Sequence, residues 1–171
     1  MAYQAKDVAE YILGYYGSRG IEIDNYKLQE VLYYLQANYL VLCQDSLFAE
    51  PIIAKYFGPI VDPVYSQYKE YGRCTIPYKL VGKSTYNKKV QKKDQKTINV
   101  MLNLLEPYLS FNTDELDQGQ IPWIEAYHLS KEDGKPESAY VKTESLLRYF
   151  GGIEKEQNEG SINIQTSPME W

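Results

Sequence analysis

The chain has 171 residues, 44% of them hydrophobic, and a formal net charge of -5. That suits one domain with a real apolar core and argues against broad, nonspecific affinity for nucleic acid or anionic membrane. No apolar run approaches membrane-spanning length, and the first residues lack a basic region followed by an apolar one, so the expected location is cytoplasmic.

The first predicted helix covers 3–16, with Val8, Ala9, Ile12, Leu13 and Tyr16 on one face, and Gly17-Ser18-Arg19-Gly20 stops it. A short extended link, 21–23, leads to a long helix over 25–44. Asp24 or Asn25 suits its N-cap. Leu28, Val31, Leu32, Leu35, Tyr39 and Leu42 form its core-facing stripe, and Cys43 reads as a small core residue. Tyr26, Tyr33, Tyr34 and Leu40 carry apolar surface around most of the cylinder, which places this helix at the centre of the domain. Lys27, Gln29 and Gln36 then need partners or an open face.

Residues 45–51 read as a turn-rich connection anchored by Leu47 and Phe48, and 52–57 as a short extended or irregular segment bounded by Gly58-Pro59. Asp62-Pro63 is an N-cap with proline at the first helical position. The helix runs to Tyr71 with Val64, Tyr65, Tyr68 and Tyr71 inward, and Gly72 ends it. The stretch 75–81 alternates as a strand would, and 83–96 is a lysine-rich loop entering the next helix. From Asp94, the residues Ile98, Met101, Leu102, Leu105, Tyr108 and Leu109 give the cleanest amphipathic pattern, which Pro107 kinks or ends near Glu106. Asn112 and Glu115 resemble a capping box. Ile121-Pro122-Trp123 opens a short helix to His128, 130–136 is a loop, and Thr143 caps a last helix with Leu146, Leu147 and Phe150 inward and Gly151-Gly152 as its stop. Residues 1–152 form the domain; 153–171 have no period and read as a mobile tail. The fold class expected is mainly α: a compact single domain around the long helix, with minor extended elements.

No catalytic motif is present. There is one histidine, no Gly-x-Ser-x-Gly elbow and no phosphate-binding glycine loop with its lysine. Asp7 with Glu10, and Asp114 with Asp117, read as solvated pairs rather than acid–base machinery. Two separated cysteines and one histidine fall short of a zinc set, so neither metal nor cofactor is expected. Tyrosine is the compositional outlier, 18 against four phenylalanines and two tryptophans. Tyrosines build amphipathic cores with hydroxyls at the edge, and they also dominate protein-binding faces. Lys79, Lys83, Lys88, Lys89, Lys92, Lys93 and Lys96 make a basic cluster with Tyr78 and Tyr86 inside it. A nucleic-acid contact through 83–96 ranks below protein binding, because no nucleic-acid motif accompanies it.

The order of motifs carries a resemblance. Asn25-x-Lys27-Leu28-Gln29-x-x-Leu32-Tyr33-Tyr34 is followed by Leu47-Phe48-x-Glu50-Pro51-Ile52, then Tyr56-Phe57-Gly58-Pro59-Ile60-Val61, then Val64-Tyr65 and Tyr71-Gly72. This resembles the Panacea domain, also called the SocA/GepA-like domain, from about Tyr3 to Phe150. The resemblance implies an antitoxin that neutralises a cognate toxin, often phage- or prophage-borne, by direct protein–protein binding. The alternatives are a phage-encoded inhibitor of a host defence protein and, behind it, an enzyme of unrecognised type. The resemblance implies a partner-binding role for Lys27, Gln29, Tyr33, Tyr56, Tyr65, Gln118 and Trp123, with Lys27 and Gln29, which lie off the apolar stripe and which the core therefore needs less, lining one polar-aromatic face with Tyr56 and Tyr65; Trp123 also reads as a plug of the core between the 98–109 helix and the long one. Two departures stand out. Asp117-Gln118 replaces the family's Thr-His pair before Pro122-Trp123, and Ala54 stands where the family has an aromatic residue.

Overall fold

Asp24 opens the central helix. It lies in extended backbone, and its carboxylate accepts the N–H of Lys27 at 2.8 Å. In the computed structural model, which describes residues 2–77, 88–110 and 121–152, this helix spans Asn25–Cys43 (α2). Gln44 closes it in the left-handed region, φ 55°, donating its N–H to the Leu40 carbonyl at 3.0 Å. Every side chain from Val31 to Leu40 is buried. A helix enclosed on all sides must satisfy its own polar groups. It does so. Asn25, Gln29, Gln36 and Asn38, the buried polar residues among those described, all lie on α2 and all hold hydrogen bonds.

The first helix, Ala5–Gly17 (α1), packs against α2 with Val8, Ala9, Ile12, Leu13 and Tyr16 buried. Its first turn is capped from outside: the Ala5 N–H donates to Glu50 Oε2 at 2.8 Å. The connection from α2 to Glu50 is held in turn by Gln36. Its Oε1 accepts the N–H groups of Leu47 and Phe48 at 2.9 and 3.1 Å, and its Nε2 donates to the Phe48 carbonyl at 3.2 Å.

A helix over Lys92–Leu105 (α4) packs on α2, burying Ile98, Met101, Leu102 and Leu105. Pro107 falls in the 3-10 turn Glu106–Ser110 that ends it. The tyrosine excess explains this interface. Tyr11 donates to Asn99 Oδ1 at 2.7 Å, Tyr16 to the Leu102 carbonyl at 2.8 Å, and Tyr3 and Tyr39 both donate to the Asp94 carboxylate. The rings pack in or against the core while the hydroxyls of Tyr11 and Tyr16 tie α1, that of Tyr39 ties α2, and that of Tyr3 ties the segment just before α1, to α4.

Between α2 and α4 lie a hairpin of Ile53–Lys55 (β1) and Gly58–Ile60 (β2), a helix Asp62–Tyr68 (α3), and a 3-10 turn, Lys69–Tyr71, that Gly72 ends. The strands are antiparallel, with Ile53 opposite Ile60 and Lys55 opposite Gly58. The last two helices are Ile121–Asp133 (α5) and Thr143–Phe150 (α6). α6 packs on α2 through Leu146 and Phe150, whereas α5 packs on β1, on α6 and on the 3-10 turn Pro136–Ala139. The result is mainly helical, a single compact domain around α2. No helix among the described residues is long and apolar enough to cross a membrane.

Several expectations change. Leu42 is 67% exposed and Cys43 is also exposed, because the last turn of α2 projects beyond the elements that cover it. The segment 52–60 is a hairpin, with Gly58-Pro59 inside β2 rather than bounding it. Val61, not Asp62, is the N-cap of α3, and Lys142, not Thr143, that of α6; neither makes a side-chain cap bond. Residues 75–77 form no strand; Ile76 instead donates its N–H to the Ile23 carbonyl at 3.0 Å. α5 continues through Ser130 to Asp133 where a loop was expected. The rest of the expected strand (78–81), the capping box at Asn112 and Glu115, and the tail 153–171 lie outside the described residues.

Candidate functional site

The hairpin turn presents two aromatic residues. Lys55 and Gly58 pair across it, leaving Tyr56 and Phe57 at the tip. Gly58 has φ 126°, a backbone region that strongly favours glycine, so this residue lets the chain reverse there. Tyr56 is 78% exposed, the most exposed large apolar side chain among the described residues.

What fixes the turn lies on α2. Gln29 Oε1 accepts the N–H of Val61 at 2.8 Å, and Asn25 Nδ2 donates to the Tyr65 carbonyl at 3.0 Å. The two side chains are joined by a bond from Gln29 Nε2 to Asn25 Oδ1 at 3.0 Å. The end of β2 and the second turn of α3 are therefore bolted to the first turns of α2. Tyr26 of α2, Phe57 of the turn and Tyr65 of α3 consequently converge. Phe57 stacks on Tyr65 with centroids 5.9 Å apart, Tyr26 meets Phe57 edge-on at 5.7 Å and Tyr65 at 6.3 Å, and Tyr56 meets Phe57 edge-on at 4.9 Å. The Arg73 guanidinium lies 4.7 Å above the Tyr26 ring. Burial, followed by a hydrogen bond with Tyr26, raises the Tyr65 hydroxyl above the usual tyrosine pKa. The site is a preformed, half-exposed aromatic platform with one cation on its rim.

Of the residues expected to bind a partner, Tyr56 and Tyr65 belong to this platform. Lys27 does not: its ammonium donates to the Leu109 carbonyl in the 3-10 turn that follows α4. Gln29 is 2% exposed and holds backbone, so the expectation that the core needs it little is overturned. Tyr33 is likewise enclosed, edge-on to Tyr34 and Phe150. Trp123 sits in the core cluster, and its indole N–H has no hydrogen-bond partner among the described residues. Gln118 lies outside the described residues. Sequence reasoning missed Tyr26, Phe57 and Arg73 as members of the site. The available signal was an adjacent aromatic pair directly before a glycine, at the end of a β-branched run.

Other chemistry is thin. Asp7 and Glu10 both hold Lys89, at 2.9 and 3.0 Å, and their hydrogen bonds raise its pKa. That takes Lys89 out of the basic cluster; Lys88, Lys92, Lys93 and Lys96 remain exposed, whereas Lys79, Lys83, Tyr78 and Tyr86 lie outside the described residues. No group of three potential metal ligands converges among the described residues. No family model, curated protein or solved structure matches the chain. The resemblance to the Panacea domain accordingly rests on motif order alone.

Proposed function

We propose that this chain is a non-enzymatic binding protein of the cytoplasm that neutralises a protein partner, a cognate toxin, by direct contact through the aromatic platform. The observation that carries the reading is the exposure of Tyr56 on top of rings already locked together by Asn25 and Gln29. Tyrosine supplies large contact area with few rotamers to freeze, and a preformed platform lowers the ordering cost of association. The motif order that resembles Panacea antitoxins supplies the choice of a toxin as partner, and steric occlusion is the mechanism that a rigid platform suits.

The test is co-expression with the product of the adjacent reading frame in a growth assay. The wild-type chain is expected to restore growth. Tyr56→Ala is expected to lose protection while accumulating to the same level as wild type, and Lys88→Ala, which is not a platform residue, to protect normally. Full protection by Tyr56→Ala would remove the platform from the contact.

A further inference from the structure

Arg73 gives the platform a chemical preference. Its guanidinium lies over the Tyr26 ring, and no carboxylate among the described residues pairs with it. The ring meets the cation without taking any of its N–H donors, and those donors are the part that grips a carboxylate bidentately. Beyond Tyr26 the rings run to Phe57 and then to Tyr56, so the guanidinium and the outermost ring are at most about 15 Å apart along the contacts. An extended peptide covers that distance in about four or five residues.

We propose that the platform takes an extended acidic peptide segment of its partner, with a carboxylate on Arg73 and an aromatic side chain about three or four residues away on Phe57 and Tyr56. This rests on the reading of the platform as the contact surface and names the chemistry that it selects. Aromatic rings with an arginine also suit a base and its phosphate. Charge decides between them. A nucleic-acid strand brings one negative charge per nucleotide to a molecule of net charge -5, with one guanidinium on the rings to meet it. A single carboxylate asks for one guanidinium only.

The experiment is a heteronuclear NMR titration of the full chain with short blocked peptides. In one, a glutamate stands about three residues from a tryptophan. In the second a lysine replaces the glutamate, and oligothymidylate is the third probe. The glutamate peptide is expected to shift the amides of residues 55–58 and 73 and to bind more tightly than the lysine peptide. Arg73→Gln is expected to weaken it about fivefold, the scale of one exposed ion pair. Arg19, whose guanidinium lies 4.0 Å from the centre of the Tyr15 ring, is the control, and Arg19→Gln should change nothing. Equal or tighter binding of the lysine peptide, stronger shifts of the same amides by oligothymidylate, or no shift of those amides would each overturn the proposal. If Tyr56→Ala abolishes neutralisation while the glutamate peptide fails to bind, the partner's chemistry is wrong and the contact surface stands. If Tyr56→Ala neutralises normally, the surface itself is wrong.

Discussion

Gln29 holds Val61 across 32 positions of sequence: its side-chain oxygen accepts the Val61 N–H at 2.8 Å, while its amide donates to Asn25 at 3.0 Å. The pair behaves as a joint between the central helix and the hairpin. It explains why polar residues stand in a helix that is otherwise enclosed, and why the platform rings arrive together.

Gln29→Ala is therefore expected to act on stability. It leaves a buried backbone N–H unsatisfied and takes the Gln29 donor from Asn25 Oδ1, at a cost of about 1–3 kcal/mol. Urea denaturation checks the value. A variant that unfolds at the wild-type midpoint would mean that the joint carries no weight. Binding by the residual folded protein should also weaken, because Phe57 and Tyr65 lose their fixed spacing.

Leu32→Ala and Leu35→Ala should each cost about 2–5 kcal/mol, since both side chains are fully buried in the most enclosed part of α2. Thermal melts followed by circular dichroism read this directly. Leu42→Ala, on the projecting last turn, should fall within about 0.5 kcal/mol of wild type. The contrast between three leucines of one helix tests the placement of the core rather than helix propensity.

Much of the fold was legible because long amphipathic helices repeat their signal. The residues named within the stripes of α1 and α4 are all buried, although Tyr11 and Tyr15 of α1 are buried too and Tyr108, past the end of α4, is half-buried; Pro107 and Gly72 ended their elements as their backbone chemistry requires. The hairpin was not legible: three-residue strands are too short to show a period of two. Leu42 and Cys43 continue the pattern of α2 past the point where neighbouring elements cover it, and periodicity holds no information about where a neighbour stops. For the site, motif order pointed to Tyr56 and Tyr65. Tyr26, Phe57 and Arg73 join them only through the Gln29–Val61 joint, a long-range contact that local patterns do not encode.

Alkaline pH should unfold the protein through its tyrosines. Burial raises the Tyr16 hydroxyl far above its ordinary pKa of about 10; burial and then the hydrogen bond to Asp94 raise Tyr39; burial raises Tyr68 to about 12. A folded-state value above the unfolded one means that the fold keeps a proton the unfolded chain has released. Stability is thus full below about pH 10 and falls as pH rises beyond it. Tyrosinate absorbance on titration should show a late, steep step, from Tyr16, Tyr39 and Tyr68, that coincides with loss of helical signal. Ionisation of all tyrosines in one smooth step near pH 10, with the helical signal intact, would contradict the buried hydroxyl network.

Trp123 is the remaining large side chain with a divided assignment, between plugging the core and rimming the partner site. It is 9% exposed and belongs to the core cluster, and its buried indole N–H finds no partner among the described residues. Those facts favour the plug and lead to an unequal pair of substitutions. Trp123→Ala should cost about 3–5 kcal/mol, the range for emptying a large aromatic site. Trp123→Phe keeps much of the ring volume and removes a donor with no partner among the described residues, so it should cost clearly less. Fluorescence gives an independent reading once Trp171 is replaced by phenylalanine, which leaves Trp123 as the sole tryptophan. Emission should be blue-shifted, resistant to iodide, and unchanged when the partner is added. Iodide quenching in the free protein, with protection in the complex, would instead move Trp123 to the interface and extend the contact surface well beyond the hairpin.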